Sequence, residues 1–285
     1  LVLGDNDFTP KNRREYANRI AVGNYDAVII SYEQFYMVPM TREYQKGFYQ
    51  EQVDMFTAAI AEERTKRGQE PQSVKDMEKT KKSFEAKITE LGNGTKDTDN
   101  IDFEELGVDA LFVDEAHSFK NLFFSSHMTN ISGLGSPEGN KRTLDMYMKV
   151  RYLQKLNGGR GIVFATATPV MNSMSEKYTM QRSLQPDVLE AAGITSFDAW
   201  ANQFGEVRTV LEMTPEGKGY KQKQCFSKFK NLAELQMMFR SFADVLTEIE
   251  GLKIPKMRGG KRIAVECEPS QFQMDYIEQL AERAE

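Results

Sequence analysis

Leu111-Phe112-Val113-Asp114-Glu115-Ala116-His117 is the stretch on which the reading of this chain turns. Three apolar residues followed by two carboxylates read as a short buried strand with an acidic C-terminal end. Open α/β sheets bind ligands just outside the carboxyl ends of their strands, so the pair stands where chemistry is done. The first carboxylate can hold Mg²⁺ on the phosphates of a nucleotide; the second can orient or deprotonate an attacking water. The plainer alternative is a strand running into an acidic helix start, where Asp114 and Glu115 favour the helix dipole.

Two further strand ends share the pattern. Gly161-Ile162-Val163-Phe164-Ala165-Thr166-Ala167-Thr168-Pro169 is apolar, then hydroxyl-bearing. Thr166 and Thr168 could hydrogen-bond a neighbouring segment and relay its state, or Thr168 could cap a helix starting at Pro169. Ala27-Val28-Ile29-Ile30-Ser31-Tyr32-Glu33 also ends in polar residues. Three polar tips are expected to converge on one face.

Outward from these, apolar runs at residues 1–4, 27–30, 110–113, 162–165 and 263–265 lack clean alternation. Strands buried on both faces of a mostly parallel sheet read this way. Helical spacing at 12–20, 175–184, 197–204, 232–246 and 270–284 completes an α/β pattern. Within residues 50–96, Val53, Phe56 and Ile60, then Val74, Met77, Phe84, Ile88 and Leu91, recur at helical spacing around a Gly68-Gln69-Glu70-Pro71 break. This predicts a helical hairpin inserted into the α/β core. From 51 to 96 the chain carries nine acidic and nine basic residues, so the hairpin is either a solvated structural insertion or a partner- or DNA-contacting arm. Residues 132–140 read as a flexible loop. Residues 1–250 are expected to form one lobe, with a junction and the start of a second over 251–285.

Composition narrows the class. The 285 residues are 40% hydrophobic, and 37 Lys and Arg stand against 42 Asp and Glu, giving −5. A wholesale basic coat for nucleic acid is excluded; a local basic groove is not. No apolar run reaches the roughly 18 residues a bilayer span needs, so no membrane partner is expected. Cys225 and Cys267 cannot build a disulfide framework, and a reducing cytoplasm is the expected location, which the resemblance given below narrows to a bacterial one. The chain opens on an apolar run without Met and reads as an internal piece of a longer protein.

The residues resemble a known family. Asp114-Glu115-Ala116-His117 followed by Lys120-Asn121 looks like motif II of superfamily 2 DEAD/DEAH-box helicases, and more narrowly of the Swi/Snf-like DNA translocases. Thr166-Ala167-Thr168-Pro169 with Asn172 is similar to that family's motif III, with Ala167 where a glycine is usual. Ser31-Tyr32-Glu33 resembles its first-lobe DNA-contacting element. The very large helicase–methylase proteins of bacterial phages and mobile elements are the narrowest resemblance. It implies a RecA-like lobe of the P-loop NTPase class and the cofactors ATP and Mg²⁺. It implies double-stranded DNA as partner and a methylase domain in the same parent polypeptide. Asp114 would coordinate Mg²⁺ and Glu115 would activate water. His117, Thr166 and Thr168 would couple nucleotide state to DNA grip, and Ser31, Tyr32, Lys120, Asn121 and Asn172 would touch nucleic acid.

No Gly-x-x-x-x-Gly-Lys-Ser/Thr loop occurs in the chain. The resemblance puts that phosphate cradle upstream of Leu1 and the arginine finger beyond Glu285, so the chain alone is expected not to hydrolyse ATP. The alternative is a non-hydrolysing module that binds nucleic acid or a partner. Weaker features stay open: Lys218, Lys221, Lys223, Lys228 and Lys230 with Tyr220, Phe226 and Phe229 are a phosphate path or a solvated hairpin. Lys253, Lys256, Arg258, Lys261 and Arg262 invite the same reading, His127 reads as a surface histidine, and the methionines read as core.

Overall fold

A computed structural model describes all residues except 5–6, 10, 68–71, 94–100, 127, 129–130, 133, 135–138, 172, 214–218, 247–258, 261–262 and 285. In order, the elements are α1 (Arg13–Val22), α2 (Tyr32–Tyr36), α3 (Arg42–Arg67), α4 (Gln72–Asn93), β1 (Leu111–Val113), β2 (Ile131–Ser132), α5 (Lys141–Leu156) and β3 (Ile162–Phe164). Then come α6 (Ser175–Leu184), α7 (Pro186–Ala191), α8 (Phe197–Phe204), β4 (Gly205–Met213), β5 (Tyr220–Phe229), α9 (Leu232–Arg240) and α10 (Gln271–Ala284). The architecture is mixed α/β, with more helix than strand. No helix among the described residues is long and apolar enough to cross a membrane.

β1 and β3 pair in parallel, Leu111 opposite Ile162 and Val113 opposite Phe164. The first two apolar runs meet only in a parallel bridge, Val2 to Ile29. The run at 263–265 is not a strand: Ile263 and Val265 lie exposed, with no ladder partner among the described residues. Apolar content raises strand propensity, but backbone pairing makes a strand. A second sheet runs β2-β5-β4, with β2 parallel and β4 antiparallel to β5. Lys221, Lys223 and Lys228 of the lysine-rich run thus lie on one arm of a hairpin, while Lys218 falls outside the described residues. Gly205 opens that hairpin because the Phe226 ring fills the space a Cβ would need.

The expected helices at 175–184 and 197–204 form as read. The one expected to 246 ends at Arg240, and α5 was not anticipated. The loop at 132–140 lies largely outside the described residues, as do the junction at 251, Asn172, His127 and all five basic residues from Lys253 to Arg262.

α3 and α4 form the hairpin and lie on the core rather than away from it. Phe56 and Phe84 pack on Phe123, with ring centroids 6.3 and 5.2 Å apart. Val53, Ile60, Val74 and Met77 join the same buried cluster as Phe103, Leu144 and Leu153. Arg182 locks this junction from α6: its guanidinium lies between the Phe123 and Tyr147 rings, and donates to the Phe123 carbonyl at 2.7 Å. A second cluster, rich in aromatic rings, gathers Tyr178, Phe197, Trp200, Phe204 and Phe226 with aliphatic neighbours such as Leu189 and Ile194. A third, smaller one puts Val113, Ala116 and Phe119 against Met146 and Val150 of α5 and Met180 of α6. That small cluster is the floor of the site.

Candidate functional site

The parallel pairing of β1 and β3 ends both strands side by side. Ala165 N–H donates to the Val113 carbonyl at 2.8 Å, and Ala116 N–H returns to the Ala165 carbonyl at 2.9 Å. These bonds clamp the acidic turn to the threonine loop. Asp114 caps the turn locally, its Oδ1 accepting from the Glu115 N–H at 2.9 Å. Glu115 itself takes φ 47°, ψ 42°, a left-handed conformation that crowds the Cβ of any residue but glycine. Residues held this way cluster at functional sites, where surrounding contacts impose the geometry.

His117 stands between the two segments. Its Nδ1 lies 3.1 Å from Glu115 Oε2 and 3.2 Å from Thr166 Oγ1. Thr166 Oγ1 also accepts from the Thr168 N–H at 3.2 Å. Carboxylate, imidazole, hydroxyl and backbone amide are therefore linked in one chain across the strand ends. Thr168 caps no helix; the next one begins at Ser175.

Tyr32 reaches the same place from α2, its ring edge-on to Phe119 with centroids 5.0 Å apart. Its phenol is pushed above the ordinary tyrosine value, first by burial and then by the negative charges of Asp114 and Glu115. Ser31 starts α2 through a reciprocal capping box: its hydroxyl accepts from the Gln34 N–H, and Gln34 Oε1 accepts from the Ser31 N–H. Gln34 then donates to the Gly4 carbonyl at 2.8 Å, fastening this element to the first apolar run. Lys149 supports it from below, fully buried, paired with Asp145 and donating to the Phe35 carbonyl at 2.8 Å.

The structure thus gathers Asp114, Glu115, His117, Thr166, Thr168 and Tyr32, with Ser31 beside them as a cap. Asn121 is exposed next to the turn. Lys120, expected on the nucleic-acid face, turns inward instead and pairs with Glu176 of α6 at 3.1 Å. Glu176 was not singled out by sequence, because a lone carboxylate in a first helical turn reads as an ordinary dipole partner. Among the described residues no group of three or more His, Cys, Asp or Glu could hold a metal ion. The carboxylates of Asp114 and Glu115 are the acidic donors at the turn, too few to cage an ion, which suits one carried in on phosphates.

An α/β domain with an acidic strand end hydrogen-bonded to a hydroxyl-bearing neighbour is the class the geometry defines. The chain belongs to the probable helicase domain family, whose family model matches residues 1–247. It is also 26% identical over 277 residues to Defense against restriction protein B of Escherichia phage P1. That match covers 94% of the chain and 12% of the phage protein, so the chain spans a small part of its relative's length. No solved structure matches it.

Proposed function

We infer that the chain is the acidic-turn half of the ATPase site in a nucleic-acid translocase, RecA-like in fold and acting on double-stranded DNA. The observation that carries this reading is the continuous linkage Glu115–His117–Thr166–Thr168 across two paired strand ends. The Glu115 carboxylate is there connected to the loop of the next strand through the His117 ring, an arrangement suited to coupling hydrolysis to movement. In this reading Mg²⁺-ATP supplies the triphosphate and the metal that offsets its charge. Asp114 would hold the metal, and Glu115 would accept the proton of the attacking water. His117, Thr166 and Thr168 pass the state of Glu115 onward. Ser31, Tyr32, Asn121 and Asn172 face the nucleic acid, with a phosphate cradle supplied elsewhere in the polypeptide. The phage relative, of which the chain covers 12%, supports a place in a much longer polypeptide; a methylase domain in that polypeptide belongs to the proposal.

Glu115→Gln in the full polypeptide carrying this chain tests the reading. Nucleotide binding should persist while turnover falls by about 10²-fold or more, since an amide keeps the shape and takes no proton. Turnover within about twofold of the parent would remove Glu115 from the reaction. A chain without any nucleotide affinity in its full polypeptide would favour the non-hydrolysing module.

A further inference from the structure

Lys120 closes the short turn that follows the acidic pair, and its ammonium crosses to α6. Nζ lies 3.1 Å from Glu176 Oε1, with the two side chains 8% and 4% exposed. Glu176 uses its other oxygen, Oε2, to accept from the Met171 N–H at 2.7 Å. The Thr179 hydroxyl, one turn along α6, donates to the Lys120 carbonyl. These contacts join three segments: the turn at 114–120, the first turn of α6, and the loop from 165 to 171 that carries Thr166 and Thr168.

Packing alone does not account for this arrangement. Two charges are withdrawn from water here, and an apolar pair of similar volume would hold the elements together at equal or lower cost. What an ion pair adds is direction. A carboxylate with both oxygens engaged fixes where the Met171 backbone stands relative to Lys120. The exposed Met171 side chain adds little hold at this end of the loop. The half-buried His117–Thr166 contact and the two backbone bonds at Ala165 link the same turn and loop at their other end, so the loop is tied to the turn near both of its ends.

We propose that Lys120 and Glu176 are positioning residues, a buried strut that makes the acidic turn and the 165–171 loop move as one body. The proposal rests on the reading of Asp114 and Glu115 as the nucleotide end of the site, and deepens it. A displacement of the turn reaches Thr166 and Thr168 through the strut as well as through His117. Lys120 is then no phosphate contact, because its charge is spent internally.

The test is Lys120→Met with Glu176→Met in the full polypeptide, which removes the pair without leaving a buried charge unmatched. The variant should fold, as thermal unfolding will show, while the Met171 amide exchanges about tenfold faster and amides of α3 and α4 do not change. DNA stimulation of ATP turnover should fall about tenfold, with basal turnover and Mg²⁺-ATP affinity within about twofold. The salt dependence of duplex binding should be unaltered; a slope smaller by about one would make Lys120 a phosphate contact and overturn the proposal. Unchanged Met171 protection in the folded variant would overturn it too. If the double variant does not fold, Glu176→Gln reads the same amide. There, exchange about threefold faster supports the strut and none refutes it. Should the full polypeptide show no ATP turnover at all, the proposed function fails, while Met171 exchange still decides whether the strut exists.

Discussion

The aromatic cluster around Trp200 and the acidic turn at 114–117 share one helix, α6, and are built in opposite ways. Tyr178 and Gln181 of α6 face the aromatic side, where Trp200 is wholly buried and its indole N–H donates to Gln181 Oε1 at 3.0 Å. Phe197, Phe204 and Phe226 close around it. Met180 and Glu176 face the other side. There the strands are three residues long, Phe112 is 76% exposed, and Glu115 sits in a left-handed conformation. One flank is sealed and relaxed; the other is open and strained. Stability is concentrated where no chemistry is expected, and the site is held in place by what surrounds it.

The largest effect should come from the sealed flank. Trp200→Ala removes a fully buried indole and leaves Gln181 without its donor, which should cost about 3–5 kcal/mol. Urea unfolding of the chain measures it. A loss below about 1 kcal/mol would mean the cluster is no anchor, and the contrast with the acidic turn would collapse.

How much of this contrast could be read from the sequence follows from the same physics. α8 was legible because Ser196 caps it and its apolar face is one-sided: Phe197, Trp200, Ala201 and Phe204 are buried. α5 was not, because polar Thr143 and Lys149 are buried among Leu144, Met146, Tyr147, Met148 and Val150, which blurs the apolar period over its first turns. The residues at 263–265 misled in the other direction, being apolar without a neighbour to pair with. At the site, Asp114, Glu115, His117 and the threonines were visible because strand ends announce themselves locally. The inward turn of Lys120 was not, since its partner lies fifty-six residues away on a different element.

A smaller effect sharpens the comparison at α6 itself. Lys177 is held under the Phe239 ring, its ammonium 3.0 Å from the centroid, and burial pushes its pKa down to about 7. The ring face favours the cation, so desolvation is the stronger influence. In the unfolded chain the group titrates near 10.5, the ordinary lysine value. Between these limits the unfolded state binds more protons than the folded one, so this residue makes stability rise with pH from about 7 to about 10. Lys177→Met should flatten that rise. Thermal unfolding of chain and variant at pH 6.5 and 9.5 (chosen as about the ends of the window) measures the difference between them. Equal slopes would place the ammonium in water and the helix flank in the open.

The smallest effect bears on the strained flank and has the opposite sign. Glu115→Gly gives φ 47° to the one residue that adopts it without a Cβ clash. Relief of the left-handed penalty, about 1–2 kcal/mol, is offset in part by glycine's greater freedom in the unfolded chain, about 0.5–1 kcal/mol. The Glu115–His117 contact is also lost, but the Glu115 side chain is 60% exposed, so little stability goes with it. The net expectation is a gain of about 0.5 kcal/mol, read as a higher urea midpoint with the slope unchanged. In the full polypeptide the same variant should lose turnover, because the carboxylate that strain holds in place is gone. A gain in stability with a loss of function would mark Glu115 as a residue kept against the preference of its own backbone. A lower midpoint would mean that the contacts around Glu115 outweigh its strain, and that the two flanks of α6 differ less than their geometry suggests.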